Sequence, residues 1–170
     1  MSENVKSKKE SFIKFLKELI PYVIILIAVI LIRTFLFTPI YVRGSSMKPT
    51  LSGGEVMLLN KVSKHDRLDV VVVDIGTEKI IKRVIGLPNE YIECRDGIVY
   101  INDKKLDDKH SIGAGNDFKR TKLKKDEYFV LGDNRYDSLD SDDFGPIKES
   151  QIQGTANFVL FPFREFGKLK

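Results

Sequence analysis

Residues 19–37 form an apolar stretch that is long enough to cross a lipid bilayer, and this limits the possible folds more than any other feature of the sequence. A helix over these residues reaches about 28 Å, close to the roughly 30 Å thickness of the hydrocarbon layer. Arg33 lies near one end, where a long side chain can reach the polar interface and so avoids most of the cost of burying its charge. The sequence therefore predicts one transmembrane helix at residues 19–38.

Charge differs on the two sides of this stretch. The basic segment before it, residues 1–18, carries five lysines, and the positive-inside rule places such a flank in the cytoplasm. The remainder, residues 39–170, then lies on the outer side of the plasma membrane. A cleaved secretory signal is the alternative, but its apolar core is shorter and is followed by small residues, whereas residues 38–42 read Thr-Pro-Ile-Tyr-Val. We therefore expect an uncleaved, single-pass anchor.

The outer part of the chain has about 130 residues, which is enough for one domain with a core. Asp96 and Gly97 fit a tight hairpin turn, because this pair tolerates positive φ angles. Residues 103–125 are polar and predict a surface insertion. The fold class is a mainly β domain of antiparallel sheets on a single N-terminal transmembrane helix. Runs rich in Val, Ile, Tyr and Phe predict strands at residues 55–60, 69–74, 79–87, 91–95, 98–101, 127–131 and 152–161.

Charge and cysteine content exclude several functions. The net charge of +4 does not indicate a nucleic-acid partner, because acidic and basic residues are interspersed after residue 50; a surface near anionic membrane lipid fits better. Cys94 is the only cysteine of the sequence, so neither an internal disulfide nor a cysteine metal cluster is possible. The acidic residues 137–143 do not begin a calcium loop, since the EF-hand pattern fails at Phe144 and Gln151. We expect no metal and no cofactor.

Ser46 is the candidate nucleophile, and a serine hydroxyl needs a neighbouring base to remove its proton. The two histidines, His65 and His110, lie in charged or polar surroundings without a serine motif, and we expect both to be solvent-exposed. A nucleophile elbow is excluded because Lys48 stands where its second glycine belongs. A lysine is the remaining candidate for the base.

Lys82 is that candidate. In a strand it shares a face with Ile80 and Val84, and aliphatic neighbours that remove water from an ammonium group favour its neutral form. A site of low dielectric beside a membrane suits the same requirement. On spacing alone, an exposed lysine on an edge strand remains the alternative.

Three separate motifs carry a resemblance to bacterial type I signal peptidases of the Gram-positive kind. Residues 42–51, VRGSSMKPTL, resemble the serine motif of that family, and residues 81–88, IKRVIGLP, resemble its lysine motif. Residues 132–141, GDNRYDSLDS, resemble its Gly-Asp-Asn-Arg box. The resemblance covers residues 19–167 and fades between 103 and 125. It implies a membrane-bound serine endopeptidase that removes signal peptides from secretory preproteins, and it implies the same β architecture.

The resemblance also implies roles for individual residues. Ser46 would be the nucleophile and Lys82 the general base of a Ser/Lys dyad, with Ser138 hydrogen-bonded to the lysine. Three further positions match residues that support the site, namely Asp140, Arg83 and Gly132. The substrate cleft of the family is lined at positions that correspond to Val42, Met47, Leu51, Ile80 and Ile81.

The sequence departs from the family pattern at two positions. Gly44 stands where some members have a hydroxyl that contacts the oxyanion, so a second donor besides the backbone N–H of Ser46 is unassigned. Asp142 stands where the family usually has an arginine that pairs with the aspartate at position 140. We hypothesise that Arg83 pairs with Asp140 instead. We also expect repulsion among the carboxylates of residues 137–143 to raise some of their pKa values.

Other functions fit parts of the pattern. Residues 45–48 spell the Ser-x-x-Lys pattern of penicillin-binding proteins, but Pro49 disfavours the helical start that this pattern needs, and the companion motifs are absent. A specialised or self-cleaving Ser/Lys protease would keep the same dyad, although the anchor argues against a cytosolic repressor. The non-enzymatic alternative is an inactive homologue that serves as an assembly partner for surface proteins. The presence of both Ser46 and Lys82 disfavours it.

Overall fold

An apolar helix forms most of the first of two compact units, Met1–Phe37 and Thr38–Lys170. The computed structural model describes residues 2–169, with side chains from Ile13 onward. The lysines at positions 6, 8 and 9 of the predicted basic flank therefore lie outside the described side chains.

Helix α1 spans Ser2–Leu31 and continues into a π-helical turn, Ile32–Leu36. By length and composition, Ile13–Leu36 is long and apolar enough to cross a membrane, which confirms the predicted apolar helix. The helix begins well before residue 19, because the Lys, Glu and Leu residues ahead of it are good helix formers. It ends before Thr38, since Pro39 disfavours helical geometry for the residue that precedes it.

The second unit consists mainly of short strands joined by turns. A short helix, α2, spans Ser141–Phe144, and 3-10 turns occur at Glu149–Gln151 and Phe163–Glu165. The strands are β1 Phe37–Tyr41, β2 Val56–Asn60, β3 Val70–Asp74, β4 Lys79–Gly86, β5 Tyr91–Arg95, β6 Ile98–Ile101, β7 Lys104–Lys105, β8 Phe118–Lys122, β9 Glu127–Leu131, β10 Ile147–Lys148, β11 Ile152–Thr155, β12 Phe158–Phe161 and β13 Gly167–Lys168.

The strands of the described chain form two sheets. The larger has nine strands in the order β10-β9-β4-β3-β11-β2-β12-β13, with β1 beside β2. The smaller has the order β7-β6-β5-β8. Apart from β1, every strand pairs with its neighbours in the antiparallel direction, which confirms the predicted mainly β, antiparallel class.

Local sequence determines several strand boundaries. The predicted strands at β5, β6 and β9 begin and end as expected. Asp96 and Gly97 have φ angles of 51° and 71°, which confirms the tight turn between β5 and β6. The strand predicted at 152–161 is wrong in one respect, because it breaks into β11 and β12. The side chain of Asn157 explains the break: its Oδ1 accepts a hydrogen bond from Val70 N at 2.9 Å.

The segment 103–125, expected to be a polar surface insertion, contains two strands that the sequence did not predict. Strand β8 pairs with β5 and completes the smaller sheet. The Phe118 ring stacks on Phe129 with centroids 4.8 Å apart, and Leu123 is fully buried. A few apolar residues thus hold an otherwise polar strand against the core, because burying large apolar side chains stabilises even a short strand.

Strand β4 carries two of the predicted site residues, both of them cations. It lies between β3 and β9 in the larger sheet, so that its residues face buried layers on both sides. Successive side chains of a strand point to opposite faces. Lys82 and Arg83, which are adjacent and both buried, therefore lie on opposite faces of the sheet.

Candidate active site

A cavity of about 660 Å³ contains the predicted nucleophile and the predicted base in its wall. The loop after β1 contributes Ser46, strand β4 contributes Lys82, and the loop after β9 contributes Ser138. These three residues are far apart in the sequence, so antiparallel pairing within the larger sheet is what brings their elements to one place. The cavity is also lined by four charged residues, namely Arg43, Glu78, Lys79 and Asp137.

Lys82 is buried and has two polar partners. Its side chain is 3% exposed, and Nζ lies 2.8 Å from Asp140 Oδ1. Nζ also donates to Ser138 Oγ at 2.5 Å. In the neighbouring strand β3, Val71 lies directly opposite Lys82. The expected aliphatic setting is therefore present, and the alternative of an exposed edge lysine is wrong for this strand.

Asp140 is the acceptor at the centre of this hydrogen-bond network. Its Oδ1 also accepts from Ser138 Oγ at 2.6 Å, and its Oδ2 accepts from the backbone N–H of Gly132 at 2.8 Å. The backbone N–H of Asp140 in turn donates to Asp143 Oδ2 at 3.0 Å, in a capping box at the start of α2. Asp140 therefore holds Lys82, Ser138 and Gly132 in fixed relative positions.

Ser46 lies in a tight loop that is bound to the loop after β9. Its carbonyl oxygen accepts from Asn134 N at 2.9 Å, and the side-chain amide of Asn134 donates to Ser45 O at 3.3 Å. The Ser45 hydroxyl donates to Asp137 Oδ2 at 2.8 Å. Between the described side chains of Ser46 and Lys82 there is no hydrogen bond; the two share the wall of the cavity.

Gly132 separates Ser46 from Ser138. A Cβ atom at this position would lie 2.5 Å from Ser46 O and 2.1 Å from Ser138 Oγ. Both distances are shorter than any real contact of such an atom, so a side chain here would push the two serines apart. The close approach of these residues requires glycine at position 132.

The hypothesis that Arg83 pairs with Asp140 is wrong. Arg83 forms a two-point ion pair with Asp133, with Nε and Nη2 donating to Oδ1 and Oδ2 at 2.7 and 2.6 Å. The reason is the two-residue period of β4, which points Arg83 away from the face that carries Lys82. Asp140 takes its positive partner from Lys82 instead.

Asp142 stands at the position where the family usually has an arginine, and it is partly buried near the carboxylates of Asp143 and Asp140. Its Oδ1 has no hydrogen-bond partner, alone among the buried side-chain polar atoms of the described residues, and Oδ2 accepts from Asn116 Nδ2 at 3.5 Å. Burial, together with the charges of Asp143 and Asp140, raises the pKa of the Asp142 carboxyl. The expected direction is therefore confirmed for Asp142, with burial as the larger cause and repulsion from Asp143 and Asp140 as the smaller one.

The five predicted cleft residues divide into two groups. Ile80 and Ile81 line the cavity. Val42, Met47 and Leu51 do not; they are buried in the core cluster that also contains Met57 and Val159. For these three the structure corrects the prediction, because apolar side chains in this loop gain more from packing inside the domain than from facing an open cavity.

The histidines lie apart from this cavity, as the absence of a serine motif near them suggested. His65, expected to be exposed, is half-buried: its Nδ1 lies 3.2 Å from Thr155 Oγ1 and its ring packs edge-on against Tyr128. Burial lowers the pKa of His65. Among the described residues, no group of three or more His, Cys, Asp or Glu side chains has the arrangement of a metal site.

Two residues that sequence reasoning missed form ion pairs near the cavity. Asp133 belongs to the Gly-Asp-Asn-Arg box, but its pairing with Arg83 has no signal in sequence spacing. Asp108 lies in the segment interpreted as an insertion, and yet it forms a buried ion pair with Arg135. Long-range pairs of this kind depend on which loops meet, and that information is not local.

Comparisons with known proteins agree with the motifs. The family model described as signal peptidase, peptidase S26, matches residues 15–161. Signal peptidase I T of Bacillus subtilis (strain 168) is 38% identical over 186 residues, covering 99% of this chain and 95% of that relative. Signal peptidase I S of the same strain is 38% identical over 184 residues, covering 98% of both. The crystal structure of a signal peptidase I from Enterococcus faecalis V583 is 30% identical, with a TM-score of 0.49 over 55% of this chain and 97% of that one.

Proposed function

Because the chain belongs to the signal peptidase family, peptidase S26, we propose that it is a membrane-bound serine endopeptidase that removes signal peptides from secretory preproteins. One observation carries the mechanistic part of this proposal. Ser46 and a buried Lys82, itself held by Ser138 and Asp140, line the same cavity. A serine beside a desolvated amine is one of the arrangements that generates a serine nucleophile without histidine.

In the proposed reaction, the neutral amine of Lys82 takes the proton of the Ser46 hydroxyl as Oγ attacks the carbonyl carbon of the scissile peptide bond. The backbone N–H of Ser46 donates to the oxyanion that forms. The lysine then passes its proton to the leaving amine, which departs as the new N-terminus of the mature protein. A water molecule, deprotonated by the same amine, attacks the carbonyl carbon of the acyl-enzyme; the ester bond breaks, the signal peptide leaves with its new carboxylate, and the ammonium group returns the proton to Ser46 Oγ.

In this proposal four residues support the site without forming or breaking covalent bonds, namely Ser138, Asp140, Arg83 and Gly132. Ser138 and Asp140 orient the amine of Lys82. Gly132 leaves the space that Ser46 O and Ser138 Oγ occupy beside it. In this scheme only the neutral amine of Lys82 can accept the proton of the Ser46 hydroxyl.

The proposed substrates carry small apolar residues, such as alanine, at the first and third positions before the cut, because the apolar side chains of Ile80 and Ile81 line the cavity beside Lys82. The proposed anchor is the apolar helix, in contact with membrane lipid, with its N-terminus in the cytoplasm and residues 39–170 outside. Protease added to intact spheroplasts should then digest the part of the chain after Thr38. Protection of that part would reverse the topology.

The central experiment is cleavage of a purified preprotein by the full-length chain in detergent or lipid vesicles, with sequencing of the mature N-terminus. Ser46→Ala and Lys82→Ala should each reduce kcat/KM by about 1000-fold or more, since each removes a member of the reacting pair. Ser45→Ala is the matched control: its hydroxyl binds Asp137 rather than Lys82, and most activity should remain. Equal loss from Ser45→Ala would reject Ser46 as the nucleophile, and a wild-type chain without activity would favour the inactive-homologue alternative.

A further inference from the structure

Residues 108–116, named here the strap, run alongside the loop that carries the Gly-Asp-Asn-Arg box. Two backbone hydrogen bonds join them at Ile112, whose N–H donates to Asp133 O at 2.8 Å and whose carbonyl accepts from Arg135 N at 3.0 Å. These bonds form an isolated parallel bridge between Ile112 and Asn134. The strap is therefore bound directly to the backbone of the box.

A buried ion pair anchors the beginning of the strap. Asp108 Oδ2 accepts from Arg135 Nη2 at 2.6 Å, and the two side chains are 7% and 6% exposed. The neighbouring Asp107, by contrast, is 82% exposed. Removing two charges from water is costly unless the geometry and the remaining hydrogen bonds are good. Here the same guanidinium also donates from Nε to Gly132 O at 2.9 Å.

The later part of the strap contacts the rest of the same loop. A Cβ atom at Gly113, which has a φ angle of 89°, would lie 2.6 Å from the ring of Tyr136, so these two residues are in close contact. Asn116 reaches Asp142 near the start of α2. Contacts from Asp108 to Asn116 thus follow the loop along most of its length.

The opposite side of the loop holds the reacting residues. Asn134 binds the carbonyl oxygens of Ser45 and Ser46, and the N–H of Gly132 binds Asp140, the partner of Lys82. The box therefore lies between the strap and the site. A shift of Gly132 would disturb its bond to Asp140, and a shift of Asn134 would disturb its bonds to the backbone of Ser45 and Ser46.

We infer that Asp108, acting through Arg135, is a positioning residue for the Ser46–Lys82 pair, an inference that rests on the proposed function. Asp108 fixes the guanidinium, the guanidinium fixes Gly132 O, and Gly132 and Asn134 fix the base and the nucleophile. Among the described residues, those that line the cavity include none from the strap. Loss of Asp108 should therefore reduce kcat and leave KM nearly unchanged.

The test compares Asp108→Asn with Asp107→Asn in the full-length protein, using a peptide that spans a signal-peptide cleavage site. Asp108→Asn keeps the side-chain shape and removes the charge. It should reduce kcat about 10- to 100-fold, the effect expected when reacting groups are misplaced by up to about 1 Å. KM should stay within about twofold of the wild-type value. Asp107→Asn, at the exposed neighbour, should behave as wild type. A wild-type kcat for a folded Asp108→Asn variant would overturn the inference.

A second variant separates positioning from stability. The double substitution Asp108→Leu with Arg135→Met replaces the buried pair by apolar side chains, an exchange that is often neutral or stabilising. It restores packing and still lacks the bond to Gly132 O, so kcat should stay low at a wild-type Tm. A stable double variant with wild-type kcat would reduce Asp108 to a structural role and overturn the inference.

Hydrogen–deuterium exchange gives a readout that does not depend on substrate. Peptides that contain Asn134 and Arg135 should exchange faster in Asp108→Asn than in wild type, because the strap no longer holds their backbone. Unchanged exchange would contradict the inference even if the wild-type chain cleaved no preprotein. Failure of the proposed function, in contrast, would appear as an inactive wild-type enzyme with the exchange difference intact.

Discussion

Two neighbouring residues of β4, Lys82 and Arg83, build two very different regions on the opposite faces of one sheet. Arg83 faces the protein interior, where Asp133, Leu68 O and Thr50 Oγ1 accept its donors. Lys82 faces the cavity, where its partners are Asp140 and Ser138. Both cations are buried and both pair with an aspartate of the loop after β9.

The difference between the two regions is one of proton chemistry. A guanidinium stays protonated in proteins and binds a carboxylate at two points, which suits a permanent structural contact. An ammonium group can lose its proton when it is desolvated, which suits a base. The chain thus places the guanidinium in its interior and the ammonium group, the kind of cation that the proposed function requires as a base, at the cavity.

The largest effect is expected when the ammonium group of Lys82 is replaced by a guanidinium, which cannot act as a base. Lys82→Arg keeps a positive partner for Asp140, so the free energy of unfolding should fall by no more than about 1–3 kcal/mol, the usual cost of overpacking. Preprotein cleavage should fall by about 1000-fold or more, because the guanidinium cannot accept the serine proton. Cleavage assays and thermal melts measure the two effects, with Lys105→Arg, an exposed exchange of the same type, as the control. Wild-type cleavage by Lys82→Arg would exclude Lys82 as the base.

Removing the fixed cation should cost stability first. Arg83→Ala leaves Asp133 buried without its partner, which should lower the free energy of unfolding by about 3–5 kcal/mol. Arg164→Ala, at a side chain that is 83% exposed, should change it by about 0.5 kcal/mol or less. Denaturant melts compare the two variants. Similar stabilities would mean that the Arg83–Asp133 pair is no more important than a surface ion pair.

Gly132 joins the two regions, because it binds Asp140 through its N–H and precedes Asp133 in the chain. Gly132→Ala should lower the free energy of unfolding by about 1–3 kcal/mol and reduce kcat about 100-fold, since the added methyl group displaces Ser46 and Ser138. At Gly53 the nearest atom to an added Cβ lies at an ordinary 3.5 Å, so Gly53→Ala serves as control. An active, stable Gly132→Ala enzyme would show that the serines tolerate separation.

Asp142 should give the smallest effect. Its pKa is raised, so the charged form is disfavoured in the folded protein, and Asp142→Asn should increase stability at neutral pH by about 1 kcal/mol or less. The sign follows from protonation: below roughly pH 3 the wild-type carboxyl is neutral in both states, and the advantage of Asn should disappear. Thermal melts of wild type and Asp142→Asn at neutral pH and below roughly pH 3 test this, with Asp107→Asn as the exposed control. A difference that persists in acid would require another cause.

The sequence predicted those parts of the site that depend on local period. Lys82 shares a face with Ile80 and Val84 because strand residues alternate, and the structure has this arrangement. The partner of Arg83 could not be predicted in the same way, since Asp133 lies 50 residues away and meets it only after the sheet forms. An apparent family position suggested Asp140 instead, and the alternation of faces excludes that partner.

The fold was predicted well where apolar residues dominate and poorly where a few of them act at long range. Strands β5, β6 and β9 are rich in apolar and aromatic residues and have clear boundaries. Strand β8 has only Phe118 facing the core, so its sequence resembles a loop, and its conformation depends on pairing with β5. The burial of Asp108 was equally invisible, because it depends on a partner in another loop.

The unbroken register of β3 and β4 has a consequence for how this chain can vary in length. From Val70 opposite Arg83 to Asp74 opposite Lys79, the pairing contains no bulge. One inserted residue after Ile80 would exchange the faces of Lys82 and Arg83, sending the ammonium inward and the guanidinium to the cavity. The turn at residues 75–78 is therefore where this hairpin can grow or shrink during evolution, and single-residue insertions within β4 should be lost by selection even though they alter no side chain.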